Sequence, residues 1–141
     1  MRHKIKGRRL GRNPAARKAL LRNAASSLFI HRRIKTTKSI ARELRSYAEK
    51  LITTAKVDDF NARRRAARKL YGKKAVKVLF EEIGPTFKEV NGGYTRIMNL
   101  DYRKGDNARM ALIEIISSES KPSAKKTTRR GRRKKAEKKD E

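Results

Sequence analysis

Apolar positions recur at helical spacing up to residue 83 and then give way to short β-prone runs. Asn13-Pro14 opens the first helix, because asparagine is a good N-cap and proline suits the first helical position. Behind this start, Leu20, Leu21, Ala24 and Leu28 fall on one side, with Lys18 and Arg22 on the other. Phe29 falls near the basic side, which is unusual for a simple core helix. Residues 33–37, Arg-Ile-Lys-Thr-Thr, are β-prone. A second helix over about 39–56 gathers Ile40, Leu44, Tyr47, Ala48, Leu51 and Ala55 into one narrow stripe, the clearest amphipathic pattern in the chain.

Asp58-Asp59 supplies a stop and a new N-cap. The spacing predicts a third helix over about 60–71, with Phe60, Ala67 and Leu70 inward and Arg64, Arg65, Arg68 and Lys69 outward. Gly72 is expected to end it. A fourth helix over about 73–83 presents Val76, Leu79, Phe80 and Ile83, and Gly84-Pro85 is expected to stop it. Tyr94–Leu100 and Arg109–Ile116 read as strands. The last, Met-Ala-Leu-Ile-Glu-Ile-Ile, is almost wholly apolar and belongs at the sheet's centre or against the helices. Two strands alone are marginal. With residues 33–37 as the third, the fold class is α+β: about four helices packed on a small three-stranded sheet.

Charge then changes the picture. Of 141 residues, 41 are Lys or Arg and 14 are Asp or Glu, a net charge of +27. Residues 1–42 hold no acid at all. Residues 1–12 read as an extended basic arm with two glycines. Residues 117–141 carry 11 Lys/Arg and no large apolar side chain, so a disordered basic tail is expected there. Residues 1–116 form the folded body and still hold 30 Lys/Arg against 10 acids. A small domain stays soluble with a net charge of about 2–8. The excess calls for an anionic partner, and phosphate is the natural one.

The cations fall in three places. Arg2, His3, Lys4, Lys6, Arg8, Arg9 and Arg12 line the arm, and Arg17, Lys18, Arg22, Arg32, Arg33 and Lys35 continue its field. Arg63, Arg64, Arg65, Arg68 and Lys69 form a second patch. Arg96, Arg103, Lys104 and Arg109 form a third, near the strands. Phe29, Tyr71, Phe87, Tyr94 and Tyr102 either pack or stack on unpaired bases. Gly92-Gly93-Tyr94-Thr95-Arg96 is either a plain hairpin entry or a place where backbone approaches backbone closely.

Catalysis has little to stand on. The chain has no phosphate-binding glycine loop, nucleophile elbow or His-Glu-x-x-His. Glu81-Glu82 lies on a solvent side, with Glu81 set to pair with Lys77, and His31 sits at a helix end. With no cysteine and two histidines, neither a metal nor a cofactor is expected, and the chain is not read as an enzyme. No apolar run reaches a membrane span, and the basic N-terminus lacks the apolar stretch of a secretory signal. A duplex-DNA reader would concentrate its contacts on one recognition helix. Cations wrapped around a body suit irregular folded RNA better. A DNA-binding architectural protein is the alternative; a membrane-surface helix is disfavoured by Glu43 and Glu49 on the second helix.

A series of local motifs carries a resemblance. It runs through Met1-Arg2-His3-Lys4, Leu10-Gly11-Arg12, Arg17-Lys18-Ala19-Leu20-Leu21-Arg22-Asn23 and His31-Arg32-Arg33-Ile34-Lys35-Thr36-Thr37. It continues through Glu49-Lys50-Leu51-Ile52, Asn61-Ala62-Arg63-Arg64 and Leu79-Phe80-Glu81-Glu82-Ile83. Gly92-Gly93-Tyr94-Thr95-Arg96-Ile97 and Gly105-Asp106-Asn107-Ala108-Arg109-Met110 complete it. In these the chain resembles the L-seventeen family of bacterial large-subunit ribosomal proteins, in order over about residues 1–116. The resemblance implies a structural, cytoplasmic constituent of the large ribosomal subunit near the outlet of the polypeptide exit tunnel. Its partners would be large-subunit ribosomal RNA and neighbouring ribosomal proteins. RNA contacts would fall on Arg2, His3, Arg8, Arg9, Arg12, Arg17, Lys18, Arg22, Arg33, Lys35, Arg63, Arg64, Tyr94 and Arg96. Two places depart from the family pattern: Val90-Asn91 stand where Arg-Pro is common, and Ala15-Ala16 where Ser-His is common.

Overall fold

A computed structural model describes residues 7–116. Helix α1 (Pro14–His31) starts where Asn13 directs: its Oδ1 accepts a hydrogen bond from the Ala16 amide at 2.7 Å. Arg32 ends the helix in a left-handed conformation, at φ 64°, and the chain turns at once into strand β1 (Arg33–Thr37). Helix α2 (Lys38–Ala55) follows without a loop. Helix α3 (Phe60–Ala67) and helix α4 (Lys73–Val78) come next. Strands β2 (Thr95–Tyr102) and β3 (Arg109–Ile115) close the fold.

The three strands form one antiparallel sheet in the order β1-β3-β2, so the apolar last strand is central as its composition requires. In register, Ile34, Ile113 and Ile97 form one row on the face that the helices cover. The opposite face carries Arg33, Glu114 and Arg96 in one row and Lys35, Leu112 and Met98 in the next. Helix α2 is the hub, lying against all three strands, α1 and α3. Its buried stripe is Ala41, Leu44, Ala48, Leu51, Ile52 and Ala55. Ile40 and Tyr47 border this stripe, half-buried. The largest fully buried side chains are Phe29, Phe80, Leu28, Leu44, Ile52, Leu79, Ile83 and Ile113. Phe29 therefore packs, and the base-stacking reading of it is excluded.

Three sequence expectations are corrected. Phe60 is 75% exposed, and α3 buries Ala62 and Ala66 instead, because two small side chains let the helix approach its neighbours closely. The helix ends at Ala67, and Gly72, at φ 81°, precedes α4 rather than closing α3. Gly84-Pro85 does not stop the fourth helix. After Val78 the helix widens into a π-helical turn, Leu79–Ile83, in which the Gly84 amide reaches back to the Leu79 carbonyl. One further turn, Gly84–Thr86, follows. Proline lacks an N–H and its ring crowds the preceding turn, and a widened turn relieves both conflicts.

Candidate nucleic-acid interface

Arg2, His3, Lys4, Lys6 and the basic tail lie outside the described residues. The remaining cations divide by what they touch. Arg17 meets Glu43 of α2 at 3.5 Å, and both are largely buried. Gly7 lies against this pair with φ 88°, and a Cβ there would overlap the Arg17 guanidinium. Arg32 pairs with Glu82, tying the end of α1 to the π-helical turn. Arg63 pairs with Asp58 at 2.7 Å while its guanidinium lies 5.2 Å from the centre of the buried Phe80 ring. Arg96 reaches Glu114 across the sheet through its Nε, at 2.7 Å. Arg103 holds Asp106 within the β2–β3 hairpin. These five arginines are partly neutralised and hold elements together.

Arg22 is a structural cation of another kind. Its guanidinium stacks 4.0 Å from the centre of the Tyr71 ring and donates to the Leu70 carbonyl at 3.2 Å. Nearby, the Tyr71 amide donates to Ser26 Oγ, and the Tyr47 hydroxyl donates to the Lys69 carbonyl. Burial pushes the Tyr47 phenol above its ordinary pKa; the neighbouring Arg22 opposes that shift. Tyr94 is 3% exposed, its ring packed edge-on against Phe87 with centroids 5.1 Å apart. Its ring faces serve the core and are not free to stack.

The others present charge outward. Arg8, Arg9, Arg12, Lys18, Arg33, Lys35, Arg64, Arg65, Arg68, Lys104 and Arg109 are exposed and form no ion pair among the described residues. The fold gathers some of them. Arg8 and Arg109, 101 positions apart in the chain, share one cleft with Lys38 and Arg42 at the start of α2. Lys38 and Arg42 escaped the sequence reading because they lie on the polar side of an amphipathic helix, where charge ordinarily means solvation. Arg33 and Lys35 point from the open face of the sheet, where Met98 and Leu100 are each 38% exposed. Arg64, Arg65 and Arg68 extend from α3 and the turn after it.

The acids in the same body are mostly occupied. Arg103 holds the Asp106 carboxyl well below its ordinary range, at about 2, by direct hydrogen bonding, with help from the Ala108 amide. Glu81 meets Lys77 at 3.8 Å, as its spacing predicts. Seven carboxylates are held in ion pairs. The outward field is consequently positive on several faces at once. Among the described residues no three His, Cys, Asp or Glu side chains are placed to hold a metal ion, and no helix is long and apolar enough to cross a membrane.

Fold and surface together define a small α+β body most of whose acids are engaged in internal ion pairs and many of whose cations are exposed and face outward. The family described as Ribosomal protein L17 matches residues 20–116. A relative, the large ribosomal subunit protein bL17 of Desulfovibrio desulfuricans, is 54% identical over 119 residues, spanning 84% of this chain and 70% of the relative. The chain belongs to the ribosomal protein L17 family.

Proposed function

We propose that this chain is a structural constituent of the large ribosomal subunit that binds large-subunit ribosomal RNA through phosphate contacts and so supports translation. The observation that carries this reading is the surplus of exposed arginine and lysine with no ion pair among the described residues, on a member of the L17 family. Arginine grips phosphate bidentately and lysine adds point charge, so cations on several faces match a folded polyanion approaching from several directions. Residues 1–116 act as the RNA-binding domain, with residues 1–12 as a basic arm and 117–141 as a further basic extension. Neighbouring large-subunit proteins are its other partners, and its place is the cytoplasmic ribosome. No catalytic step is assigned to it. Family membership disfavours the DNA-architectural alternative.

Co-sedimentation tests the reading. The chain is expected to travel with large subunits after a moderate salt wash, and recovery solely in the free fraction overturns it. Affinity for large-subunit RNA should fall with a log–log salt slope of about −0.7 to −0.9 per neutralised phosphate. Structured ribosomal RNA should outcompete generic duplex DNA. The reverse order would favour the architectural alternative.

A further inference from the structure

A groove lies on the outer side of α2, away from the cleft shared by Arg8 and Arg109. It has a volume of about 850 Å³. One wall is the polar side of α2 and its C-cap, from Arg42 through Arg45 and Lys50 to Lys56; the other is Asn91, Gly92 and Tyr94. At 1.5 Å per residue, the helical wall is roughly 20 Å long.

We infer that this groove is a second RNA site, one that holds a stretch of ribose-phosphate backbone; the inference rests on the RNA-binding reading above. Glu49 is the one carboxylate among the described lining residues, and its charge is already engaged. It accepts from Arg45 Nε at 3.3 Å and from the Thr95 hydroxyl at 3.0 Å. Arg42, Lys50 and Lys56 are left facing the groove with no carboxylate partner among the described residues. Lys56 is held in place rather than neutralised: its ammonium donates to the Val90 carbonyl at 2.8 Å and keeps further donors for a ligand. The facing wall sets the Gly92 backbone between Asn91 and Tyr94, with the Lys56 ammonium 5.8 Å from the centre of the Tyr94 ring. Gly92 sits at φ 143°, a conformation side chains rarely adopt, and nothing lies within 4 Å of where its Cβ would be. A strand of backbone can therefore lie close against Gly92 while the α2 cations reach its phosphates. The glycine pair leads into β2 and its hairpin with β3, and Gly92 also lines the cationic groove. An acidic protein segment is the competing occupant. The length of this wall and the cations Arg42, Lys50 and Lys56 spaced along it favour a polymer with repeated charge.

The chain has no cysteine, so a single one can be introduced for probing. Thr53→Cys places it on the exposed outer side of α2, at the groove. The full-length variant, tethered to an iron chelate and incorporated into large subunits, should direct hydroxyl-radical cleavage to a short, discrete run of large-subunit RNA. The variant Lys50→Gln, at an exposed residue that lines this groove and not the Arg8–Arg109 cleft, should lower the log–log salt slope by about 0.7–0.9, with an unchanged melting temperature. If the chain incorporates but Thr53→Cys cuts no RNA, or cuts a neighbouring protein instead, and Lys50→Gln keeps its slope, the groove is not an RNA site. If the wild-type chain itself fails to bind ribosomal RNA, the underlying reading falls as well, so the two failures are distinct.

Discussion

The guanidinium of Arg22, on α1, lies 4.0 Å above the ring of Tyr71, in the link between α3 and α4. The contact, with the bond to the Leu70 carbonyl, clips that link to the helical layer. An arginine that reads as an RNA contact thus works inside the protein. Arg22→Ala should lower unfolding free energy by about 1–2 kcal/mol, and Arg22→Lys should restore only part of it, since lysine lacks the planar face. Denaturant melts of the three proteins measure this.

Phe29 is fully buried, although its helical position suggests an outward face. Phe29→Ala should cost about 3–5 kcal/mol of stability, the range for a large core aromatic. Circular dichroism melting reads the loss. A variant that melts normally but binds RNA poorly would contradict the packing role.

Arg64, Arg65 and Arg68 are exposed and unpaired among the described residues. Changing all three to glutamine should leave the melting temperature within a degree or two while weakening RNA binding and flattening its salt dependence. Filter binding across a salt series separates these effects. Arg63→Gln should behave differently, because it also breaks the ion pair to Asp58 and the contact with Phe80.

Asp106 gives a pH signature. Its carboxyl is lowered from 3.8 to about 2 in the fold. The ionised form therefore stabilises the β2–β3 hairpin at and above about pH 4, and that contribution disappears as pH falls toward about 2. Carboxyl chemical shifts should follow this titration in the native chain, and Arg103→Gln should move the midpoint back up toward the ordinary aspartate value.

Gly84→Ala reverses a usual sign. In an ordinary helix this change stabilises by about 0.5–1 kcal/mol. Here the added Cβ would sit 3.0 Å from the Ala55 carbonyl oxygen, which is backbone and cannot swing away. A net loss of about 1–3 kcal/mol is expected, read from the same denaturant melts.

Much of this architecture is legible in residue order. Asn13-Pro14 marks a start, the α2 stripe marks a buried face, and the apolar last strand finds the centre of the sheet. The failures have physical causes. Alanine carries little weight in an apolar pattern, so Ala62 and Ala66 hide the true inner face of α3 while Phe60 advertises a false one. A Gly-Pro pair is a strong stop signal, yet tertiary packing holds the helix together by widening one turn. The interface is harder to read. Whether an arginine is free depends on carboxylates distant in the chain: Arg17 meets Glu43 and Arg32 meets Glu82 only after folding. The α2 groove needs the link before β2 to be laid beside the helix, and no local pattern announces that.

Both β1 and β2 pair with β3 and, among the described residues, with no other strand. On a nascent chain the two outer strands emerge first and wait for the middle one. Helical pieces can form early, but no rung of the ladder closes until the region around Met110 has left the synthesising ribosome. The cleft shared by Arg8 and Arg109 is likewise created last.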